Sequence, residues 1–399
     1  MATIHLVVPP IQRDKFGGGL LCALEYAKGL RSRGHCVNVI PLLPSPSPRW
    51  FAGDIGSIPR LKRMRWLWKS MRRLSSALAS RGAQSWYGDV WDITTIGLLC
   101  APRVFSPTIQ QALGMAHVRI ILESHLPLAD ATLATSYQTA LPVHLYGTGR
   151  KFYFAQHYEP YFSIDAPEPK LAELAATSTY RLPLKIIANS SWLRAKLQSE
   201  IMDADVSLCP NAIDHQVFNG EPKTEPLGIE IRVISYGGRG AQWKGFREMA
   251  EAMKIARSAC SDKRLRWLVY GSAALPPDNS IASYEALGFL NSVQLADAYR
   301  AADIFLSASW YESFPLFPLE AMSCGLPVVT TQPGTEEFAT HESTAQIVEP
   351  RNPERIAAGL IRLIREQEYR TFVAANGNRI AREFSWQRSV TAMENILLR

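Results

Sequence analysis

The sequence predicts an α/β chain built from two Rossmann-like domains. Short β-branched runs alternate with helical stretches along most of its 399 residues, and the alternation stops once and then restarts. The stop is a polar, proline-punctuated segment, and the length suits two to three domains. With 47% hydrophobic and 20% charged residues, the chain has the composition of a globular protein with real cores.

Taken in order, "TIHLVV" at the start reads as a first strand and "PPIQRDKFGGG" as a loop. Residues 20–33 show helical periodicity that Gly34 ends, and "HCVNVIPLL" is a second strand. "VRIILES" and "DATLATS" read as further strands, the latter with a helix after it. "KFYFAQ" and "LKIIANS" continue the pattern, the last leading into the helix "SWLRAKLQSE", and "VSLCPN" is one more strand. "NGEPKTEPLG" (219–228) has no periodicity and reads as an interdomain linker. Beyond it come the strand "IRVISYGG", a helix over 244–257, the strand "RLRWLVYG" and the helix "SVQLADAYRAA". The strand "DIFLSAS", a helix starting near Pro318, the strand "LPVVTT" and two helices around "EFSW" complete the chain. The expected domains are therefore 1–218, with a basic helical insertion at about 45–88, and 219–383, with 384–399 a helix returning to the first. Parallel sheets of this kind bind ligands at the carboxyl ends of their strands.

Several classes are excluded. No run reaches the roughly 18 apolar residues that a membrane span needs. The start lacks a basic n-region and a small-residue cleavage site, so a cytoplasmic protein is expected. Six scattered cysteines without a C-x-x-C pair suit free thiols in a reducing compartment. The net charge is +7, but eight basic residues and no acid lie between Arg60 and Arg81, so the remainder carries −1. Charge confined to one segment is a poor match to a nucleic-acid-binding face. In that segment Leu61, Met64, Leu67, Trp68, Met71, Leu74 and Leu78 share one helical face, opposite Lys62, Arg63, Lys69, Arg72 and Arg73. It reads as an interfacial helix on an anionic membrane, the alternative being a helix whose apolar stripe packs on its own domain.

Four groups of residues could carry chemistry. The loop Gly17, Gly18 and Gly19 allows close backbone approach at a helix start, an anion site, or else only a tight turn. No G-x-G-x-x-G and no G-K-[ST] is present, which disfavours dinucleotides and a P-loop. In "YGGRGAQWKGF", Arg239 and Lys244 flank a strand-to-helix connection and suit a diphosphate without a metal, the bland alternative being two solvated cations. "DAD" at 203–205 has D-x-D spacing but reads as a surface turn, so neither a metal nor another cofactor is expected. Glu123 and His125 are weaker candidates for an acceptor side. Finally, Glu312 and Glu320 lie in the uncharged stretch "WYESFPLFPLEAMSCGLPVVTT", either as unrelated loop and helix acids or facing one cleft.

That last segment resembles the signature of retaining GT-B glycosyltransferases of glycosyltransferase family 4. There, two glutamates separated by seven residues precede A-M-x-x-G-x-P-V-V, matched here by Glu312, Glu320, Ala321, Met322, Gly325, Pro327, Val328 and Val329. The glycine loop, the Arg239/Lys244 pair, "NAIDHQVF" and "LGFLNSVQLADAYRAAD" also fit, so the resemblance spans nearly the whole chain. It implies a GT-B fold, two Rossmann-like domains facing each other across a cleft. It implies that Glu320 begins a helix and accepts hydrogen bonds from ribose hydroxyls, and that Glu312 faces the donor sugar. The turn through Ser313, Phe314, Pro315 and Leu316 would offer main-chain N–H groups, and the backbone at Gly288, Phe289 and Leu290 would hold the nucleotide. Arg239 and Lys244 would neutralise the diphosphate, and His157 in "FYFAQHYEPYF" would contact the donor sugar. Where the rhamnosyltransferase branch is expected to carry an acid before Tyr-Glu-Pro, this chain has His157. The implied activity is transfer of a sugar, L-rhamnose from dTDP-L-rhamnose, to a glycan or lipid-linked acceptor in bacterial surface polysaccharide synthesis, peripherally at the inner face of the cell membrane. Alternatives are a UDP- or GDP-sugar hexosyltransferase, a nucleotide-sugar epimerase or hydrolase of the same fold, and a non-catalytic membrane-associated scaffold.

Overall fold

The computed structural model describes residues 1–13, 17–51, 107–165, 168–201, 204–238, 241–271 and 282–399. It divides into two units, the first comprising Met1–Ala188, Lys196–Ser207 and Val390–Arg399, the second Asn189–Ala195 and Leu208–Ser389.

In the first unit the apolar runs become six strands: β1 (Thr3–Val8), β2 (Cys36–Pro41), β3 (Ala131–Ala134), β4 (Arg150–Ala155), β5 (Lys185–Ala188) and β6 (Val206–Leu208). They form one sheet in the order β2-β1-β3-β4-β5-β6. Strands such as β3, buried at all four positions, are continuous apolar runs because helices cover both faces of a parallel sheet. The helices are α1 (Gly18–Ser32), α2 (Pro107–Ser124), α3 (Tyr137–Tyr146) and α4 (Pro169–Thr179), with α5 (Ser191–Glu200) belonging to this unit from Lys196.

The second unit holds β7 (Glu230–Tyr236), β8 (Arg264–Tyr270), β9 (Glu285–Gly288), β10 (Ile304–Leu306), β11 (Val328–Thr331) and β12 (Gln346–Val348). Its sheet runs β12-β11-β10-β7-β8-β9, so the strand order reverses between β7 and β10. Such a reversal opens a crevice beyond the carboxyl ends of the two strands. The helices are α6 (Phe246–Ala259), α7 (Ser292–Ala301), α8 (Leu316–Ser323), α9 (Pro353–Arg365) and α10 (Gln367–Ala381), while α11 (Trp386–Leu398) starts in this unit and from Val390 belongs to the first. One face of the sheet buries Trp267 with Met249, Met253 and Leu360. The other buries Tyr299, Phe305, Leu319 and Met322.

Five expectations need correction. "VRIILES" is the end of helix α2, because an apolar run of this length fits a buried helix as well as a strand. Helix α6 starts at Phe246, and Lys244 ends a short 3-10 turn before it. Helix α8 starts at Leu316 with Pro318 in its first turn, where a missing N–H costs nothing. Strand β12 and helix α9 were not anticipated among the closing elements. The stretch 219–228 is no free linker. Lys223 Nζ donates to the Ala302 carbonyl at 2.6 Å, Asn378 Nδ2 to that of Gly220 at 2.9 Å and Gln367 Nε2 to that of Thr224 at 3.1 Å. The basic helix expected between Arg60 and Arg81 lies outside the described residues.

Candidate active site

The chain leaves β7 at Tyr236 and turns through Gly238, whose φ of +73° favours glycine. It enters α6 through Gly245, at φ +69°, where a Cβ would run into the Ala308 carbonyl oxygen. Two glycines thus fold the connection tightly over the carboxyl ends of β7 and β10, and Lys244 projects from it. The Lys244 ammonium forms an ion pair with Glu312 Oε1. It also lies 4.1 Å from the ring centre of Trp243 and 5.7 Å from that of Tyr236. Trp243 in turn stacks on Tyr311, ring centres 5.8 Å apart.

Glu312 is 7% exposed and reaches this position on the loop after β10. Ser309 Oγ donates to the same oxygen at 3.2 Å, and Gly334 lets a second loop pass against the Glu312 backbone, where any Cβ would collide. A buried carboxylate is tolerated here because a cation and a hydroxyl serve it.

Glu320 is the fifth residue of α8, not its first, and is 5% exposed. Its Oε2 is buried without a hydrogen-bond partner, and burial pushes its pKa up to about 8. The hydroxyls of Tyr270 and Tyr299 bond each other at 2.6 Å, and both feel the Glu320 charge. A carboxyl group left bare inside a well-packed unit is an acceptor waiting for donors.

The turn between the two acids is anchored by its side chains. Phe314 packs edge-on against Phe338 at 5.6 Å and near Phe384 at 5.7 Å, and Ser313 Oγ donates to Asn189 Oδ1. Pro315 caps α8 and Leu316 is its first residue, so any ligand contact from Phe314 or Leu316 would come from the main chain. Gly288, at φ +67°, ends β9, and a Cβ there would meet nothing within 4 Å. Phe289 beyond it is 56% exposed, and Leu290 packs partly on the core. Arg239 lies outside the described residues.

In the first unit, Gly17 precedes α1 and Gly18 begins it, and a Cβ on either would meet nothing within 4 Å. Crowding within the protein therefore does not require glycine there, which leaves room for close approach of a ligand. Gln156, at the end of β4, donates from Nε2 to the Gly19 carbonyl at 2.9 Å. It joins the glycine loop to the segment carrying His157, whose ring meets Phe162 edge-on at 4.9 Å. Glu159 accepts from the Tyr153 hydroxyl and, at 2.7 Å, from the Tyr137 amide, so it braces the loop. Burial pushes its pKa up to about 7.

The structure therefore brings Lys244 and Glu312 into contact, and places Glu320, Gly288 and the Ser313–Leu316 turn in the same unit. Sequence reasoning missed Ser309, Trp243, Gly334 and Gln156. Their signal is positional, adjacency to a motif residue for Trp243 and strand ends for Ser309 and Gln156. Among the described residues, no group of three or more His, Cys, Asp or Glu could hold a metal ion.

Residues 231–366 match the family model described as "Glycosyl transferases group 1". D-inositol 3-phosphate glycosyltransferase from Corynebacterium glutamicum is 28% identical over 208 residues, 48% of this chain and 49% of that protein. The O-antigen biosynthesis protein RfbC of Myxococcus xanthus is 27% identical over 287 residues, covering 68% of this chain and 21% of the relative. The chain thus spans about half the length of the first of these relatives and a fifth of the second. Among solved structures, Anabaena Alr3699/HepE in complex with UDP and glucose superposes with a TM-score of 0.66 at 17% identity, covering 100% of this chain and 99% of that one. With two parallel six-stranded sheets and this likeness, the fold is GT-B.

Proposed function

We propose that this GT-B chain, whose second unit matches the group 1 glycosyl transferases, is a retaining glycosyltransferase using a nucleotide-diphospho-sugar donor. The observation that carries the reading is the Lys244–Glu312 ion pair at the crevice where the second sheet reverses, in the same unit as the bare carboxyl of Glu320. A vicinal diol such as a ribose supplies the donors Glu320 lacks. Lys244, with Arg239 from the same connection, offers counter-charge to a diphosphate, and Glu312 offers an acceptor to the sugar hydroxyls. As the glycosidic bond loosens, negative charge grows on the diphosphate, and cations already in place stabilise that transition state without reorganising. The departing phosphate oxygen takes the acceptor proton on the same face, which retains configuration without a protein nucleophile. His157 is the first unit's candidate for a sugar contact.

The finer reading is transfer of L-rhamnose from dTDP-L-rhamnose to a glycan or lipid-linked acceptor of a surface polysaccharide. Similarity to the O-antigen protein supports the polysaccharide setting, while the likeness to HepE, also solved in complex with UDP-glucose, makes that sugar nucleotide the donor to compare against. The protein is incubated with labelled dTDP-rhamnose, UDP-glucose and GDP-mannose, with and without glycan and lipid-linked acceptors, in excess chelator. Acceptor-dependent transfer that persists in chelator is expected. Donor hydrolysis or epimerisation without acceptor would replace the reading with those activities, and a clear preference for uridine or guanosine donors would remove rhamnose.

A further inference from the structure

We propose that a groove on the first unit, lined by Tyr158, Tyr161, Glu173, Leu174, Lys196 and Glu200, is a saccharide-binding subsite separate from the donor residues. Its volume, about 660 Å³, falls in the range of ligand clefts, roughly 300–1,000 Å³.

Tyr158 is 6% exposed and lines the groove, and no hydrogen bond from its hydroxyl is made among the described residues. Its ring is held on one side by Tyr180, stacked at 6.0 Å, and Tyr180 is stacked in turn on Tyr153 at 5.4 Å. Three tyrosines in register hold the Tyr158 hydroxyl rigidly, and the brace at Glu159 immobilises the next residue. A phenol so firmly placed on the groove lining is pre-organised to bond a ligand hydroxyl.

Around it the chemistry is amphipathic. Tyr161 sits edge-on to Tyr158 at 4.8 Å and keeps 38% of its surface open, and Leu174 is exposed beside it. The Lys196 ammonium lies 4.9 Å from the Tyr158 ring and 5.6 Å from that of Tyr161, and bonds Glu200 at 2.7 Å. Lys170, Glu173, Lys196 and Glu200 line the same groove as the two rings. An aromatic face ringed by a phenol, carboxylates and an ammonium is complementary to a pyranose. Its C–H face buries on the ring and its hydroxyl rim finds both donors and acceptors. The lining balances Lys170 and Lys196 against Glu173 and Glu200, which favours an uncharged sugar over an anionic lipid headgroup that would meet the two acids.

The test is saturation-transfer NMR on the full chain with maltotetraose and an α-rhamnosyl tetrasaccharide, without nucleotide. At least one is expected to bind, to weaken tenfold or more in Tyr161→Ala, and to weaken several-fold in Tyr158→Phe, which keeps the ring stack. Calorimetry with UDP and dTDP on the same variants should be unchanged from wild type, which separates this subsite from the donor reading. Loss of either saccharide contact with no nucleotide binding in wild type leaves the groove supported and the donor reading overturned. Absence of binding by both saccharides, or binding that survives Tyr161→Ala, overturns the groove. Binding of anionic phospholipid vesicles through Tyr161 in place of either saccharide overturns it in favour of a lipid surface.

Discussion

His5 sits in the middle of β1 with both ring nitrogens buried and without hydrogen-bond partners, and burial pulls its pKa down to about 4. Unfolded chain takes up a proton below about 6.5, whereas the native imidazole stays neutral until about 4. Stability therefore falls as pH drops through that window and levels off beneath it, a loss on the order of 3 kcal/mol. Urea titrations between pH 7 and pH 4 should show this slope, and His5→Leu should flatten it. Glu320 has the opposite sign. Its native pKa is raised from 4.5 to about 8, so the native state is favoured at low pH and loses stability as pH rises between those values. Glu320→Gln should accordingly stabilise the free protein at pH 8 by several kcal/mol, roughly 5 at full deprotonation. The same change should weaken nucleoside diphosphate binding by about 1 kcal/mol, the difference between a charged and a neutral acceptor. Thermal melts and calorimetry read the two effects, and a variant that loses stability at pH 8 would sink the assignment.

At the scale of elements, the residues legible in the sequence were those that carry their own spacing. Glu312 and Glu320 stand out because charge is absent from the seven residues between them, and Lys244 because it follows a strand and two glycines. Helix α2 was misread in part because "VRIILES" is apolar on every face but one, and its periodicity lies in the preceding turns. Strand β12 is three residues long, too short to show alternation. Ser309 and Gly334 belong to the site through contacts made by two separate loops, which no local pattern encodes. The connection from β7 to α6 offers a test of how the backbone aims a side chain. Gly245→Ala must either strain a left-handed residue or push against Ala308, at about 1–3 kcal/mol. A lowered melting temperature is expected, together with a loss of turnover beyond tenfold as Lys244 is displaced. Unchanged kinetics in a folded variant would show that the placement of Lys244 does not matter.

For the whole molecule, alternation of strand and helix was enough to anticipate two parallel sheets, because parallel crossovers need a helix between strands. Charge distribution was equally legible, since eight of the basic residues fall between Arg60 and Arg81 and the remainder carries −1. That segment, proposed as a membrane contact, predicts co-sedimentation with anionic but not neutral vesicles, at about 1 kcal/mol per basic residue. Lys/Arg→Gln substitution there should abolish it, and equal partitioning to both vesicle types would return the segment to core packing.

On the proposed reading, the ion pair between Lys244 and Glu312 makes donor arrival a counter-ion exchange. In that exchange the diphosphate takes over the ammonium and the carboxylate is handed to the sugar, so the two halves of the donor are admitted together. On that reading, a nucleoside monophosphate brings no sugar to receive the carboxylate and leaves Glu312 to Lys244. The spent nucleoside diphosphate, by contrast, keeps the ammonium and leaves the carboxylate without its old partner. Re-forming the pair then helps to expel the product, and each turnover returns the crevice to its resting occupancy.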